Sequence, residues 1–324
     1  MADLERLAGA VLLGGLAGPT LRGDERVDLA AGRIAGVVLY QHTATAPVRN
    51  LDGTLAQLAA LCAEVRAAAP RAIIALDHEG GRVQRVRAAA TELPSARSAG
   101  GRGKGRAADT RAAWARAGAA LRAAGVSLVL GPVADVCDGD DGDAIGDRAF
   151  GATPAVVALH ARAAVQGLAD AGIACCAKHW PGIGGGACDP HFGRSTGARR
   201  ADHAAVFAGL GAPATMLAHV TLTDLDATRP ATLSPACYAA ARAQVGAGAV
   251  LCTDDLNMTA IAGFYPVPDA AAQAIAAGAD LVLVGASPLQ HQAVHAALVA
   301  RAAADPVFAG RLADAGARVA ALHT

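Results

Sequence analysis

The chain has 324 residues, with 28 basic side chains matched by 28 acidic ones, so it lacks the cationic excess that binding a polyanion such as nucleic acid requires. Its length can bury a large core, and (β/α)8 barrels commonly spend this much chain on one domain, here residues 1–324. Nowhere do about 18 apolar residues run without a charge, which excludes a membrane span, and the seven cysteines, with no CxxC pair, read as small buried side chains of a reducing compartment.

At the N-terminus an apolar run over 8–17 follows Asp3 and Glu5, where a signal peptide would carry bases, and it reads as a first strand. Short apolar runs then recur, giving candidate strands at 11–16, 36–40, 72–77, 126–133, 173–178, 214–219, 248–253 and 281–285. Between them, alanine-rich stretches at 53–68, 108–124, 154–171, 201–209, 234–245, 268–277 and 290–303 predict helices. Three of these have start signals, Asp109-Thr110, Thr153-Pro154 and Ser234-Pro235. Eight strands alternating with helices predict a closed single-domain TIM barrel. An open doubly wound sheet would show a glycine-rich phosphate turn after its first strand, and Gly14-Gly15 is no such cradle.

In a barrel of this kind, sites form from the loops after the strand C-termini. Those positions hold Asp77, His78 and Glu79 after the third strand, Asp135 after the fourth, Lys178 and His179 after the fifth, His219 after the sixth, and Asp254 and Asp255 after the seventh. Asp77 is expected to face the pocket, Glu79 to be a buried strut or a partner of Arg82 or Arg85, and Asp255 to cap the short helix that follows. Carboxylates gathered on one rim suit glycosidic bond cleavage, in which one attacks the sugar carbon and a second group handles the leaving-group proton. Lys178, Arg85 and Arg148 are long donors for sugar hydroxyls or a carboxylate.

Metal chemistry is the rival reading, through His179, Asp189 and His191, but their spacing matches no zinc motif, and the acidic string at 138–143 lacks the EF-hand order; no metal is expected. His42, His160 and His203 read as surface residues, Trp114 as core, and Trp180 as a pocket wall.

The stretch Asp77-His78-Glu79-Gly80-Gly81-Arg82-Val83-Gln84-Arg85 resembles the D-x-E-G-G-R-V-Q-R segment of glycoside hydrolase family 3, most closely its compact bacterial β-N-acetylglucosaminidases. Ile145-Gly146-Asp147-Arg148 is similar to that family's arginine loop, Lys178-His179-Trp180-Pro181-Gly182-Ile183-Gly184 to its K-H-F-P-G-H-G signature, and Asp189-Pro190-His191 to its D-S-H flap. The blocks at 216–219, 230–234 and 253–258 look like those before and at the nucleophile. The resemblance implies that Asp254 is the nucleophile, that His191 is an acid/base oriented by Asp189, and that Asp77, Arg85, Arg148, Lys178, His179 and His219 contact substrate. It further implies a retaining, exo-acting enzyme without cofactor, in the cytoplasm, a monomer or weak homodimer that removes β-linked N-acetylglucosamine from peptidoglycan fragments.

Four departures bear on the loop and the pocket. Ile183 replaces a histidine, removing a polar contact; Pro190 replaces a serine and stiffens the flap; Gly184, Gly185 and Gly186 loosen its approach; and His78, where glutamine is common, lies close enough to alter pocket contacts. Related enzymes pass the sugar to phosphate or to a second sugar, and a non-catalytic sugar-binding relative is the reading from another class. A complete nucleophile and acid set speaks against the latter.

Overall fold

A computed structural model of the chain describes residues 2–41, 50–103, 105–139, 144–184, 193, 195–285 and 290–323. Each predicted apolar run becomes a strand of one sheet: β1 (Leu12–Gly15), β2 (Gly36–Leu39), β3 (Ile73–Gly80), β4 (Leu128–Leu130), β5 (Ala174–Trp180), β6 (Ala214–Leu217), β7 (Val250–Asp255) and β8 (Leu281–Val284). Neighbours pair in parallel from β1 to β8, and β8 pairs back onto β1, so the sheet closes. The protein is a (β/α)8 barrel, as its sequence predicts.

Alternation along the strands sends one set of side chains inward and the other toward the helices. The inward set is a packed column that includes Leu13, Val38, Ile73, Leu128, Cys176, Met216, Cys252 and Leu283. Within it the Sγ atoms of Cys176 and Cys252 touch at 3.4 Å. All six described cysteines are buried free thiols, in keeping with their reading as small core residues.

Predicted helices appear at Leu55–Ala68, Ala107–Ala123, Pro154–Asp170, Pro235–Val245, Val267–Ala277 and Gln290–Ala304, while the stretch at 201–209 gives only Ala201–Ala204 and a 3-10 turn. Ser234 caps its helix by accepting from the Cys237 amide. Thr153 makes no such bond, and Asp109 and Thr110 lie inside a helix whose cap is Arg106. Trp114 is core, as read. His160 and His203 are buried rather than at the surface, His160 against the Thr110 hydroxyl and stacked on Phe150. His42 lies outside the described residues.

Four further helices were not foreseen: Ala2–Gly9, Gly23–Ala30, Ala96–Gly100 and Pro306–Ala320. The apolar run at the N-terminus is therefore split, with residues up to Gly9 helical and only Leu12–Gly15 extended. The last helix had a legible start, since Asp305 accepts from the Val307 and Phe308 amides and Pro306 fills the first turn. Its far end seals the barrel floor, where Val319 joins the inward column.

That floor is pinned by one carboxylate. Asp280, fully buried just before β8, accepts from the guanidinium groups of Arg242 (2.5 Å), Arg311 (2.7 Å) and Arg318 (3.2 Å), and from the Leu251 amide (3.0 Å). Removing a buried charge strands its partners. Asp280→Asn is expected to cost roughly 3–5 kcal/mol, read as a lowered midpoint in thermal or urea denaturation.

Candidate active site

The ionisable residues predicted for the rim converge at the opposite end, where the strands finish. On β3 the pleat turns Asp77 and Glu79 to the mouth of the barrel, and both reach Lys178, whose Nζ lies 2.7 Å from Asp77 Oδ1 and 2.6 Å from Glu79 Oε1. Arg85 donates to the free side of Asp77 at 2.7 Å. Arg148 grips Glu79 with two bonds, Nε at 2.7 Å and Nη2 at 3.0 Å, and gives a third to the Ala144 carbonyl. Glu79 is thus a strut, and its partners are Arg148 and Lys178 rather than Arg82 or Arg85. Arg82 instead pairs with Asp147.

Exposure sorts these groups. The side chains of Lys178 and Glu79 are 4% and 3% accessible, whereas those of Asp77 and Arg85 are each 15%. Lys178 and Arg148, expected to contact substrate, spend their charges on carboxylates, while Asp77 and Arg85 form the edge that a ligand can reach. Burial by itself would push the Glu79 carboxyl up, but the charges of Arg148 and Lys178 outweigh it and hold the pKa at about 2. Burial likewise opposes charge on Lys178, and Asp77 and Glu79 reverse the effect, so its ammonium is held well above the usual lysine range.

Consecutive residues of a regular strand face opposite ways, yet Lys178 and His179 both reach the pocket. The register of β5 against β6 slips between Ala177 and Trp180, and this irregularity brings the second side chain round. His179 Nδ1–H donates to Asp135 Oδ2 at 2.7 Å, and Nε2 lies 4.0 Å from Asp254 Oδ2. The peptide bonds before His179 and before Pro181 are cis. Gly182 N–H then donates back to the His179 carbonyl at 2.7 Å, with Gly182 at a φ of 106° that disfavours any side chain.

Asp254 ends β7 with its side chain 21% accessible. Its Oδ1 accepts from the Asp255 amide at 2.8 Å. Asp255 turns inward to the fold: it accepts from the Asn257 amide and side chain, and from the Tyr40 hydroxyl at 2.8 Å. Burial raises its pKa, with the Asn257 and Tyr40 bonds opposing. The helix it was expected to cap, Thr259–Ala262, has Met258 as its cap residue, and Asp255 instead closes the turn leading there.

Other expectations need correction. His219 is buried with Nε2–H donating to the Asp255 carbonyl at 3.0 Å and Nδ1 2.7 Å from the Thr232 hydroxyl, so its ring braces the end of β7 rather than offering a nitrogen to substrate. His78 faces away from the pocket and donates to the Thr91 carbonyl. Trp180 is fully buried, tied to Gln244 on the helix Pro235–Val245, and belongs to the core. Ile183 does not leave its segment unanchored: its side chain packs on a cluster of Val133, Cys137, Ile145 and Ala149, and its amide donates to Asp135 at 2.8 Å. Gly184 is a close-packing residue rather than a loosening one, since a Cβ there would lie 2.0 Å from the Val136 carbonyl.

Asp189, Pro190 and His191 lie outside the described residues, as do Gly185 and Gly186. Sequence reasoning missed Tyr40 and Asn50. The buried Asn50 accepts from the Tyr40 amide at 2.8 Å and donates to the Leu16 carbonyl, which joins the ends of β1, β2 and, through the Tyr40 hydroxyl, β7. Tyr40 closes the second predicted strand, and that position was the available signal.

A closed barrel with acids, bases and a partly accessible carboxylate gathered at the strand C-termini has the arrangement of a barrel enzyme's active site, and comparison with known proteins narrows the class. Residues 10–322 match the N-terminal domain of glycosyl hydrolase family 3. A β-hexosaminidase of Methylococcus capsulatus is 37% identical over 288 residues, covering 84% of this chain and 82% of the relative. The β-N-acetylhexosaminidase of Beutenbergia cavernae superposes with a TM-score of 0.86 at 29% identity, covering 99% of this chain and 98% of the other. NagZ of Neisseria gonorrhoeae gives 0.74 at 30% identity, with 98% of both chains covered. The chain belongs to glycosyl hydrolase family 3.

Because the folded pKa of Glu79 is depressed, its ion pairs stabilise the protein fully above the unfolded value of about 4.3. That contribution is lost as the pH falls toward about 2. Glu79→Gln is expected to lower the thermal midpoint at neutral pH and to flatten the acid limb below about pH 4, as measured by thermal melts across a pH series.

Proposed function

We propose that this chain is a retaining, exo-acting β-N-acetylhexosaminidase that releases β-linked N-acetylglucosamine. The observation that carries the reading is the placing of Asp254, a partly accessible carboxylate at the end of β7, beside a pocket edge made by Asp77, Arg85 and His179. The names of its relatives point the same way.

In this scheme an oxygen of Asp254 attacks the anomeric carbon and forms a glycosyl ester, while the bond to the leaving oxygen breaks and that oxygen takes a proton from the His191 imidazolium. Water then attacks the same carbon, gives its proton to His191 and expels the Asp254 carboxylate. Two inversions give net retention. Asp189 orients the imidazole, and Asp77 and Arg85 hold sugar hydroxyls above the Lys178 and Glu79 pair. Peptidoglycan fragments are the substrate we assign, in the cytoplasm, with the protein a monomer or weak homodimer acting without a cofactor. No helix among the described residues is long and apolar enough to cross a membrane.

Asp254→Asn is expected to abolish turnover of an aryl β-N-acetylglucosaminide with the fold intact by circular dichroism; near-normal turnover sinks the assignment. His191→Ala should slow substrates with poor leaving groups by roughly 10²- to 10⁴-fold and activated aryl glycosides far less, and an equal loss on both would remove it as the acid.

A further inference from the structure

The carboxylate of Asp135 has no part in the chemistry above, yet it is wholly buried and accepts from both His179 and Ile183. It sits two residues beyond Val133, which bridges in parallel to Lys178, and the Ala134 amide donates to the Lys178 carbonyl at 2.6 Å. The ladder between β4 and β5 therefore delivers Asp135 directly beside His179. Its two oxygens then divide. Oδ2 accepts from His179 Nδ1–H at 2.7 Å and lies 3.3 Å from the His179 amide nitrogen; Oδ1 accepts from the Ile183 amide at 2.8 Å.

We propose that Asp135 is a positioning residue that sets two parts of the pocket wall at once: the tautomer and aim of His179, and the seat of the turn that ends at Ile183. A bond from Nδ1–H fixes the proton on that nitrogen and leaves Nε2 directed at Asp254. The 4.0 Å from Nε2 to Asp254 Oδ2 is too long for a direct hydrogen bond, so the two stand side by side rather than bonded to each other. At the other oxygen, the Ile183 bond ends the turn that begins at His179, and the Ile183 side chain and Gly184 seat the chain against Cys137 and Val136. One carboxylate thus ties the pocket imidazole to the Ile183 backbone.

An amide cannot replace it. With its oxygen on the Ile183 amide, asparagine turns its NH2 toward His179 Nδ1, and that contact is a hydrogen bond only if the ring proton moves to Nε2, the tautomer that no longer presents an acceptor to Asp254's side of the pocket.

This inference rests on the glycosidase reading, and two measurements separate its failure from failure of that reading. In the 15N-labelled wild-type protein, long-range proton–nitrogen correlation of the His179 ring is expected to show a proton on Nδ1; a neutral ring protonated on Nε2 overturns the proposal whatever the activity. Asp135→Asn is expected to lose roughly 10- to 100-fold in kcat/KM on an aryl β-N-acetylglucosaminide, to lose more on a substrate with a poor leaving group, and to shift the His179 ring proton. Wild-type kinetics and leaving-group dependence in a folded variant would overturn the role. Should the variant not fold, the wild-type tautomer decides alone. Should the wild-type enzyme cleave no β-N-acetylglucosaminide, the substrate reading falls while the ring measurement still tests Asp135.

Discussion

A buried ammonium between one buried carboxylate, Glu79, and one partly accessible carboxylate, Asp77, holds the rim together. Lys178 is nearly inaccessible, and a lone charge in such a place would shed its proton or rebuild its surroundings. Asp77 and Glu79 make its charge tolerable, and Arg85 and Arg148 do the same for them, so five side chains from three segments form a single alternating array. Because Lys178 and Glu79 keep their buried charges only beside these partners, the array favours one arrangement. The pocket edge inherits that rigidity.

The two ends of the barrel use the same kind of interaction to different ends. At the floor, Asp280 is surrounded by three guanidinium groups that also bind backbone carbonyls of Ala247, Ala249, Gly278 and Ala279, so every bond there closes on the protein itself. At the mouth, the strand register slips twice, on β5 around Lys178 and His179 and on β7 between Cys252 and Asp255. The first lets Lys178 and His179 serve the same opening; beside the second, Asp254 faces that opening and Asp255 turns into the fold. Regular pairing secures the barrel, and its local failure supplies the chemistry.

This division also explains what the sequence could and could not disclose. All eight strands were legible because a buried parallel strand is a short apolar run, and the polar residues at their ends named the rim correctly as a group. Partners were not legible. Glu79 stood near Arg82 and Arg85 in the chain, but its charge is met by Arg148 and Lys178, 69 and 99 positions away, and only the closed sheet brings them together. His219 and Trp180 stand at strand ends as the pocket residues do, but the ring of the first bonds to Thr232 and Asp255 and the second is fully buried, contacts that the sequence does not display. The helices Gly23–Ala30 and Ala96–Gly100 lack a long alanine pattern and left a weak trace.

The contact between the Cys176 and Cys252 thiols lies two residues beneath Lys178 and Asp254, close enough to invite oxidative cross-linking. The strands forbid it. β6 runs between β5 and β7, so the two Cα atoms stand about two strand spacings apart, roughly 9 Å, while a disulfide spans at most about 6.8 Å. Touching sulfurs here are reaching side chains, not adjacent backbones, and the barrel would have to open before they could join. The pair therefore fills the space beneath the pocket as two separate thiols rather than as a cross-link between β5 and β7.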